Sequence, residues 1–380
     1  MWKGECQAIS MLKQQVDSHA RYVWFHAASL GEFEQGRPIM ERIKREHPEY
    51  KILLTFFSPS GYEVRKNYEG ADIICYLPLD THRNARRFLN VVHPEMSFFI
   101  KYEFWWNYLH ILKSRGVPVY SVSSIFRKDQ IFFKWYGHQY RNVLKCFTRF
   151  FVQNETSRQL LAQLHINNVE ITGDTRFDRV ISINQQAKQL PLVKAFKQDY
   201  KVFVAGSSWP PDEDIFIDFF NRHPEWKLII APHVIGEDHL QQILSKLNRK
   251  TVRYTQATEE NVKEAGCLII DCFGLLSSIY GYGEVAYVGG GFGVGIHNVL
   301  EAAVWNVPVI FGPNNRRFQE AQDLLATKGG HQINDLSEFE QLMTAYMSDD
   351  QLRQTDGNSA GNYVRSKAGA TDKILAAVLL

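Results

Sequence analysis

The chain has 380 residues, 45% of them hydrophobic and 22% charged, with a formal net charge of +2 at pH 7. This composition indicates a folded protein long enough for two domains, and so small a net charge creates no general attraction for a polyanion. The five cysteines are scattered without the spacing of a zinc site or a disulfide framework, and neither a signal peptide nor an apolar run of about 20 residues is recognised.

Short apolar runs alternate with amphipathic stretches through the first half of the chain. The predicted strands cover residues 22–27, 51–56, 72–76, 96–100, 117–122, 149–152 and 169–171. The predicted helices begin near Glu32, Ser60, Thr81, Glu103, Lys128 and Glu155. This βαβ alternation is typical of a parallel sheet with helices on both faces.

A polar segment over residues 179–200 interrupts the alternation and is predicted to be a linker with a short helix. Beyond it, strands are predicted over residues 202–205, 227–231, 251–254, 267–271, 285–288 and 307–311. The predicted organisation is a Rossmann-like domain over 1–178, a second Rossmann-like domain over 201–355, and a helical stretch over 356–380 that could cross back to the first domain. Ligands of such α/β sheets bind beyond the carboxyl ends of the strands, so the site is expected in a cleft that the two domains face.

The densest motif is the glycine cluster "VGGGFGVGIHNVLEAA" over residues 288–303, which follows a predicted strand. Glycines let a ligand approach the backbone closely, and the N–H groups at a helix start attract anions. Asn298 and Glu301 share one helix face, where a carboxylate suits ribose hydroxyls. The alternative is a glycine turn in which Glu301 complements the helix dipole. The spacing differs from the dinucleotide-binding fingerprint, which argues against a nicotinamide dehydrogenase.

Two further turns of the second half carry polar groups. The segment "AGSSWPPDED" places Ser207 and Ser208 after a strand, either as contacts for a phosphate or, for Ser208, as an ordinary helix N-cap. The segment "APH" ends another strand with Pro232 and His233, and this histidine either donates to a phosphate or carboxylate or has a structural role. The turn at 273–275 opens a helix whose backbone N–H groups could read the edge of a base.

In the first half, polar residues follow three of the predicted strands. The segment "FHAASLGEFEQG" places Glu32 at a turn tip, "KYEFWWN" places Lys101 and Glu103 beside two tryptophans, and "TFFSPSGYE" contains Ser60 and Gly61. The charged pair is either part of a site that excludes water or a local ion pair. Glu32 either takes part in chemistry or complements the start of its helix.

Residues 101–150 form a basic and aromatic region, with nine Lys or Arg and two acidic residues. Such a composition suits a phosphorylated lipid or an anionic membrane surface. The alternative is a solvated helix whose aromatic side chains lie in the core. Nucleic acid is a poorer fit, because no nucleic-acid-binding motif is apparent.

Together these motifs resemble those of the 3-deoxy-D-manno-octulosonic acid (Kdo) transferases of the lipopolysaccharide inner-core pathway. The resembling segments follow the family's order along nearly the whole chain: "FHAASLGEFEQGRPI", "PSGYE", "YLPLD", "KYEFWWN", "SSIF", "FFVQNE", "TGDTRFD", "AGSSW", "APH" and "GIHNVLEAA". The resemblance implies a GT-B type glycosyltransferase that moves Kdo from its cytidine monophosphate ester (CMP-Kdo) to a lipid A precursor (lipid IVA), with inversion and without a metal or cofactor. It also implies a peripheral protein on the cytoplasmic side of the inner membrane of a Gram-negative bacterium.

Carried over residue by residue, the resemblance places Glu32 at the general base and Glu103, in the acceptor-side motif, as a second catalytic residue. The implied acceptor-binding residues are Ser29, Gly31, Ser60, Gly61 and Lys101. The implied donor-binding residues are Ser207, Ser208, Pro232, His233, Phe273, Gly274, Leu275, Gly291, His297, Asn298, Val299, Leu300 and Glu301.

The chain departs from the family's pattern in three places. Relatives commonly have an arginine where this chain has Ala231, so one guanidinium near the donor is missing. The glycine loop is shorter and less polar, and the hydrophobic membrane segment that begins many relatives is not seen. The alternatives are another two-domain nucleotide-sugar enzyme, such as a UDP-sugar transferase or a non-hydrolysing epimerase, and a catalytically silent module that binds a membrane surface.

Overall fold

The computed structural model describes residues 2–293 and 295–379, with side chains described from Gln7 onward. The chain divides into an N-terminal unit, formed by residues 1–179 and 367–380, and a C-terminal unit, formed by residues 180–366. Among the described residues, each unit contains one seven-stranded parallel sheet. The predicted fold class, two doubly wound α/β domains, is confirmed.

The N-terminal sheet has the strand order β3-β2-β1-β4-β5-β6-β7. Its strands are β1 (Arg21–Ala27), β2 (Tyr50–Phe56), β3 (Ile73–Tyr76), β4 (Pro94–Ile100), β5 (Val119–Ser124), β6 (Arg149–Val152) and β7 (Val169–Ile171). Helix α1 (Trp2–Gln15) precedes the first strand, and the helices between the strands are α2 (Leu30–Glu46), α3 (Pro59–Arg65), α4 (His82–Val92), α5 (Trp106–Ser114) and α6 (Glu155–Ala162). Because β1 and β4 are neighbours, the turns that follow them lie side by side.

Helices cover both faces of this sheet, which explains why its strands read as apolar runs. Trp24 and Phe25 are both fully buried and point to opposite faces. Trp24 packs on Phe88 and Tyr108, with ring centroids 5.0 and 5.7 Å away. Phe25 belongs to the core cluster on the other face, which also contains Ile374 from the end of the chain.

The C-terminal sheet has the strand order β10-β11-β9-β8-β12-β13-β14. Its strands are β8 (Lys201–Ser208), β9 (Trp226–Pro232), β10 (Thr251–Arg253), β11 (Cys267–Ile269), β12 (Val285–Val288), β13 (Val309–Phe311) and β14 (Gly330–Gln332). Helix α7 (Thr175–Gln185) contains the boundary between the units. It is followed by α8 (Pro191–Lys197), α9 (Pro210–Arg222), α10 (Glu237–Lys246), α11 (Glu259–Glu264), α12 (Leu276–Ile279), α13 (Leu300–Ala303), α14 (Gln319–Ala326), α15 (Leu336–Ser348), α16 (Asp350–Ser366) and α17 (Ala370–Val378).

The last helix, α17, belongs to the N-terminal unit. The carboxylate of Asp178 accepts hydrogen bonds from the backbone N–H groups of Gly369 and Thr371 and from the Thr371 hydroxyl, at 2.6, 2.7 and 2.7 Å. These bonds satisfy N–H groups that the start of a helix leaves without an intrahelical partner. The helical stretch predicted over 356–380 is in fact two helices, because Gly369 adopts a φ of 100° that separates α17 from α16.

Two other predictions differ from the structure. The segment 179–200 does contain the predicted short helix, α8, which buries Val193 and Phe196 completely, but helix α7 also extends into it as far as Gln185, so little of it is linker. The helix predicted near Lys128 is replaced by 3₁₀ turns at Ile131–Phe133, Trp135–Gly137 and Gln139–Cys146. A Cβ on Gly137 would lie 1.7 Å from the Ile131 carbonyl oxygen, so the chain folds back more tightly than an α-helix allows.

Helix α1 and strand β14 were not predicted from the sequence. Ala8 and Leu12 of α1 pack into the core of the N-terminal unit, whereas β14 is a three-residue edge strand without a strong apolar pattern. Over residues 2–293 and 295–379, no helix combines the length and the apolar character that crossing a bilayer requires.

Candidate active site

The turns after β1 and β4 bring Glu32 and Lys101 together. Glu32 lies in the first turn of α2, where its carboxylate accepts a hydrogen bond from the Ser29 hydroxyl. The Lys101 ammonium lies 3.7 Å from a Glu32 carboxylate oxygen, and the Lys101 and Glu32 side chains are 27% and 17% exposed. The carboxylate is therefore oriented by two groups and remains accessible.

The backbone of Lys101 has a φ of 68°, in the left-handed region that few residues other than glycine adopt. Two hydrogen bonds to β5 hold it there. The Lys101 N–H donates to the Val122 carbonyl at 2.9 Å, and the Lys101 carbonyl accepts from the Ser124 hydroxyl at 3.1 Å. Such a conformation persists only where the surrounding structure enforces it, and it is frequent at functional sites.

The turn after β2 packs directly against the turn that carries Ser29. The Ser58 N–H donates to the Ala28 carbonyl at 2.7 Å. A Cβ on Gly61 would lie 2.4 Å from the Phe56 ring and 3.1 Å from the Ser29 backbone, so this close approach requires glycine. Ser60 is exposed at the same edge, and Gly31 has room for a ligand beside it.

Glu103, expected to be catalytic, is engaged in a network within its own unit. One carboxylate oxygen accepts from the Trp105 indole N–H at 2.6 Å and lies 3.2 Å from His26 Nε2. His26 is fully buried, and its Nδ1 lies 2.9 Å from the Thr55 hydroxyl, which accepts from the Trp24 indole at 2.8 Å. Through these contacts Glu103 holds the loop between Lys101 and α5 in place.

We expect Glu103→Gln to lower the free energy of unfolding by about 2 kcal/mol at neutral pH, because a buried charged hydrogen-bond acceptor is lost. Burial raises the pKa of Glu103, but hydrogen bonds from His26 and Trp105 outweigh it and hold the pKa below its ordinary value. A carboxylate with a lowered pKa stabilises the fold above its unfolded-state pKa, about 4.3, and this contribution is lost as the pH falls through the folded-state value. Urea unfolding at about pH 7 and about pH 3 measures the difference between variant and wild type. A difference that does not shrink in acid would contradict the role.

Two arginines missed in the sequence lie at the same edge. The Lys101 ammonium and the Arg127 guanidinium lie 5.5 and 5.8 Å from the centre of the Tyr102 ring. Burial raises the pKa of Tyr102, although Arg127 and Arg176 both act to lower it. Arg176 pairs at 2.9 Å with the buried Asp174. Burial acts to raise the pKa of Asp174, but the effect of Arg176 is larger and holds this pKa below its ordinary value. Two cations, Lys101 and Arg127, therefore lie over Tyr102 at this edge, while the charge of Arg176 is balanced by Asp174.

In the C-terminal unit, three rings stack where adjacent strands end. The His233 ring stacks against both Trp209 and His297, with ring centroids 4.7 and 4.3 Å away. The Trp209 indole N–H donates to His297 Nε2 at 3.1 Å. Burial, with a smaller effect of His233, lowers the pKa of His297 to about 4, and burial also lowers the pKa of His233. Both imidazoles are therefore neutral at neutral pH, and Trp209 is a member of the site that the sequence analysis missed.

Asp212 anchors the glycine loop to the start of α9. Its buried carboxylate accepts from the backbone N–H groups of Trp209 and Gly290, both at 2.9 Å, and from the Tyr287 hydroxyl at 2.7 Å. A Cβ on Gly289 would lie 2.3 Å from the carbonyl oxygen of Ser207 in the neighbouring strand β8, so the loop approaches this strand too closely for any other residue. The sequence "PDED" showed only acidic residues at a helix start, whereas the structure shows that one of them organises the loop.

Ser208 does not offer its hydroxyl to a phosphate, in contrast to the expectation. Its side chain is fully buried, and the hydroxyl donates to Glu213 at 2.9 Å. The other Glu213 oxygen lies 3.0 Å from His239 Nε2. Burial raises the pKa of Glu213 despite these partners. Ser207 remains partly exposed, with a φ of 51°.

Three other expected donor contacts are buried inside the unit. The side chains of Val299 and Leu300 are fully buried, so only their backbone could contact a ligand. A Cβ on Gly291 would lie 2.5 Å from the Gly312 nitrogen, so this glycine allows two loops to pack together. Helix α13 has four residues, too few for a strong dipole at its start.

The remaining expected donor residues lie near the strand ends of this sheet. The Asn298 amide donates to the Glu301 carboxylate at 3.0 Å, which orients the acid. Pro232 closes β9, next to the stacked His233. After the neighbouring β11, Phe273 is 82% exposed, Gly274 has a φ of 84°, and Leu275 is half-buried before α12.

The N-terminal half of the chain matches a known protein family. Residues 5–179 match the family model described as 3-deoxy-D-manno-octulosonic-acid transferase (kdotransferase). The chain is 28% identical over 338 residues to the 3-deoxy-D-manno-octulosonic acid transferase of Aquifex aeolicus (strain VF5), covering 86% of each protein. It is 25% identical over 367 residues to the enzyme of the same name from Haemophilus influenzae, covering 93% of this chain and 85% of that one.

Among solved structures, UDP-GlcNAc 2-epimerase from Neisseria meningitidis bound to UDP-GlcNAc has a similar fold. Its TM-score is 0.64 at 13% identity, over 94% of this chain and 99% of the epimerase. At this identity the likeness concerns the fold alone. The family model on the N-terminal half and the sequence similarity that extends through the C-terminal unit agree, and both relate the chain to the Kdo transferases.

Proposed function

We propose that the chain is an inverting glycosyltransferase that moves Kdo from CMP-Kdo to a lipid A precursor, lipid IVA, in lipopolysaccharide core biosynthesis. The observation that carries this proposal is the accessible Glu32 carboxylate, held by Ser29 and Lys101 at the strand ends of the unit that matches the Kdo transferase family model. A sugar hydroxyl is a poor nucleophile, so a positioned carboxylate that accepts its proton is what the reaction needs.

In the proposed reaction, a hydroxyl oxygen of the acceptor sugar attacks the anomeric carbon of Kdo. Its proton passes to a Glu32 carboxylate oxygen as the new C–O bond forms. The bond between the anomeric carbon and the phosphate oxygen breaks, its electron pair stays on that oxygen, and CMP leaves. Attack on the face opposite the leaving phosphate inverts the anomeric configuration. We propose that this chemistry needs no metal, since a nucleoside monophosphate is the leaving group.

The residues around Glu32 suit a phosphorylated acceptor. Lys101 and Arg127 give this edge positive charge, and a lipid A precursor carries phosphate groups. Arginine binds phosphate oxygens through its fork of N–H donors. Gly31 is exposed and keeps its turn free of a side chain, which supports approach of a sugar.

In the C-terminal unit, we propose that the donor nucleotide binds along the strand ends. Glu301, oriented by Asn298, is placed to accept hydrogen bonds from the ribose hydroxyls. The exposed Phe273 and the Gly274 turn are suited to contact the base. His233 and His297, neutral and stacked, can each donate or accept one hydrogen bond.

The basic and aromatic region supports binding at a membrane surface on the cytoplasmic side of the inner membrane. Trp135, Tyr136 and Tyr140 are 89%, 59% and 53% exposed. They follow the exposed Arg127 and Lys128 along the chain. Aromatic side chains with cations beside them are typical of proteins that lie in the interfacial layer of an anionic membrane.

We expect Trp135→Ser/Tyr136→Ser to weaken binding to phosphatidylglycerol-containing vesicles by roughly tenfold, because two interfacial side chains are lost. Co-sedimentation of the full chain with the vesicles measures this change. Tyr200→Ser is the matched control, because Tyr200 is 44% exposed in the other unit. Equal binding by the double variant and the wild type would contradict this membrane surface.

A panel of nucleotides tests the proposed donor against the alternative of a UDP-sugar enzyme. Ligands that bind only the native state raise the melting temperature, and at equal concentration the tighter ligand raises it more. We expect CMP to raise it more than UMP or UDP at equal concentration. Protection by UDP alone would favour the alternative.

A further inference from the structure

The donor edge of the C-terminal unit needs a source of positive charge that the expected residues do not supply. The leaving group, CMP, carries a phosphate with two negative charges when free. The Ser208 hydroxyl is committed to Glu213, and the imidazoles of His233 and His297 are neutral. Backbone N–H groups alone would have to bind this anion, although charged donors make the stronger hydrogen bonds to phosphate.

A second loop is attached to the glycine loop along its length. We name the segment 312–318, which follows β13 and precedes α14, the arginine loop. The Asn314 N–H donates to the Gly291 carbonyl at 2.9 Å, and the Asn314 side-chain amide donates to the Gly293 carbonyl at 2.7 Å. A Cβ on Gly295 would lie 3.1 Å from the Phe318 ring. The two loops therefore form one surface at the strand ends.

The arginine loop is also held from within its own unit. Asn315 is buried, and its amide donates to the Gly312 carbonyl at 2.9 Å and to the Gln332 side chain at 2.8 Å. The Gln322 amide of α14 donates to the Asn315 side chain at 2.7 Å. A binding group is most effective on a backbone that is already fixed, and the residues after Asn315 are presented on such a backbone.

Arg316 and Arg317, the next two residues, are exposed. Among the residues that the structure describes, neither forms an ion pair or hydrogen bond through its side chain. By contrast, Arg222, Arg253 and Arg353 of the same unit each pair with a carboxylate, at 3.1, 2.7 and 2.7 Å. Two adjacent guanidinium groups without acidic partners, on a rigid loop at the strand ends, suit an anionic ligand.

We propose that Arg316 and Arg317 bind the phosphate of the donor nucleotide and supply the positive charge that faces the leaving group. This assignment rests on the proposed function, because it takes the nucleotide to be a cytidine monophosphate. The planar fork of arginine matches two phosphate oxygens at once. As the bond to Kdo breaks, the charge on the phosphate increases, so these cations would stabilise the transition state more than the ground state.

Calorimetric titration with CMP and with cytidine separates contacts to the phosphate from contacts to the nucleoside. For Arg316→Ala/Arg317→Ala in the full chain, we expect CMP to bind about tenfold more weakly, since charged hydrogen bonds are lost. Cytidine, which has no phosphate, should bind as it does to the wild type. Arg316→Lys/Arg317→Lys should retain part of the CMP affinity, because charge remains while the fork is lost.

The matched control is Lys250→Ala/Lys263→Ala. Both lysines are exposed and precede strands of the same sheet, at its opposite edge, so this variant removes two charges without touching the arginine loop. It should bind CMP as the wild type does. Unchanged CMP affinity in the arginine variant, an equal loss for cytidine, or an equal loss in the lysine control would overturn the assignment. A wild-type protein that binds neither CMP nor cytidine would overturn the proposed donor as well.

Discussion

Glu32→Gln should reduce Kdo transfer by a factor of about 10²–10⁴, the usual contribution of a general base. The amide keeps the shape of the side chain and its contact with Ser29 but does not take up the proton of the acceptor hydroxyl. Binding of CMP should be unchanged, because Glu32 and the proposed nucleotide residues belong to different units. Initial rates with CMP-Kdo and lipid IVA measure the first effect, and calorimetric titration with CMP measures the second.

Glu46→Gln is the control for this experiment. Glu46 lies at the other end of α2, and its carboxylate pairs with Arg42 at 2.7 Å on the surface, where such pairs contribute little to stability. Its transfer rate should equal that of the wild type. A Glu32→Gln variant that also turns over at the wild-type rate would show that another group removes the proton.

Asp212→Asn should lower the free energy of unfolding of the C-terminal unit by about 3 kcal/mol, because one buried carboxylate serves three donors. The asparagine amide turns one acceptor oxygen into a donor that faces another donor. The glycine loop would lose its bond at Gly290, so binding of CMP should weaken as well. Urea unfolding followed by tryptophan fluorescence, together with a CMP titration, measures both effects.

Tyr287→Phe removes a single bond of the same carboxylate and leaves the two backbone bonds intact. We expect it to cost about 1 kcal/mol of stability and to leave CMP binding close to that of the wild type. If Asp212→Asn were no more destabilising than Tyr287→Phe, the carboxylate would not be the anchor of the loop.

The sheets were predictable from the sequence because their strands are buried on both faces and read as short apolar runs. In β1, for example, six of the seven residues are buried. The secondary-structure predictions were wrong where tertiary contacts override the local pattern of apolar and polar residues. The aromatic run after Lys128 has a helical composition, but the close contact between Gly137 and Ile131 bends it into 3₁₀ turns.

The turns that form the candidate site could be predicted from the sequence, because they follow the predicted strands. The directions and partners of the individual side chains could not be predicted. Ser208 looked like a phosphate contact until the structure placed Glu213, one turn further along α9, against its hydroxyl. The contact of Glu103 with His26 was also not predictable, because His26 comes from a neighbouring strand. The contact between the arginine loop and the glycine loop likewise depends on the adjacency of β12 and β13, which sequence periodicity does not reveal.

The most direct test of the proposed activity is mass spectrometry of the product. The purified full chain would be incubated with lipid IVA and with CMP-Kdo generated in situ, beside the Glu32→Gln variant. We expect the wild-type protein to convert lipid IVA to a product heavier by one or more Kdo residues and to release an equal number of CMP molecules. An unchanged acceptor, from wild-type protein whose melting temperature rises with CMP, would contradict the proposed activity.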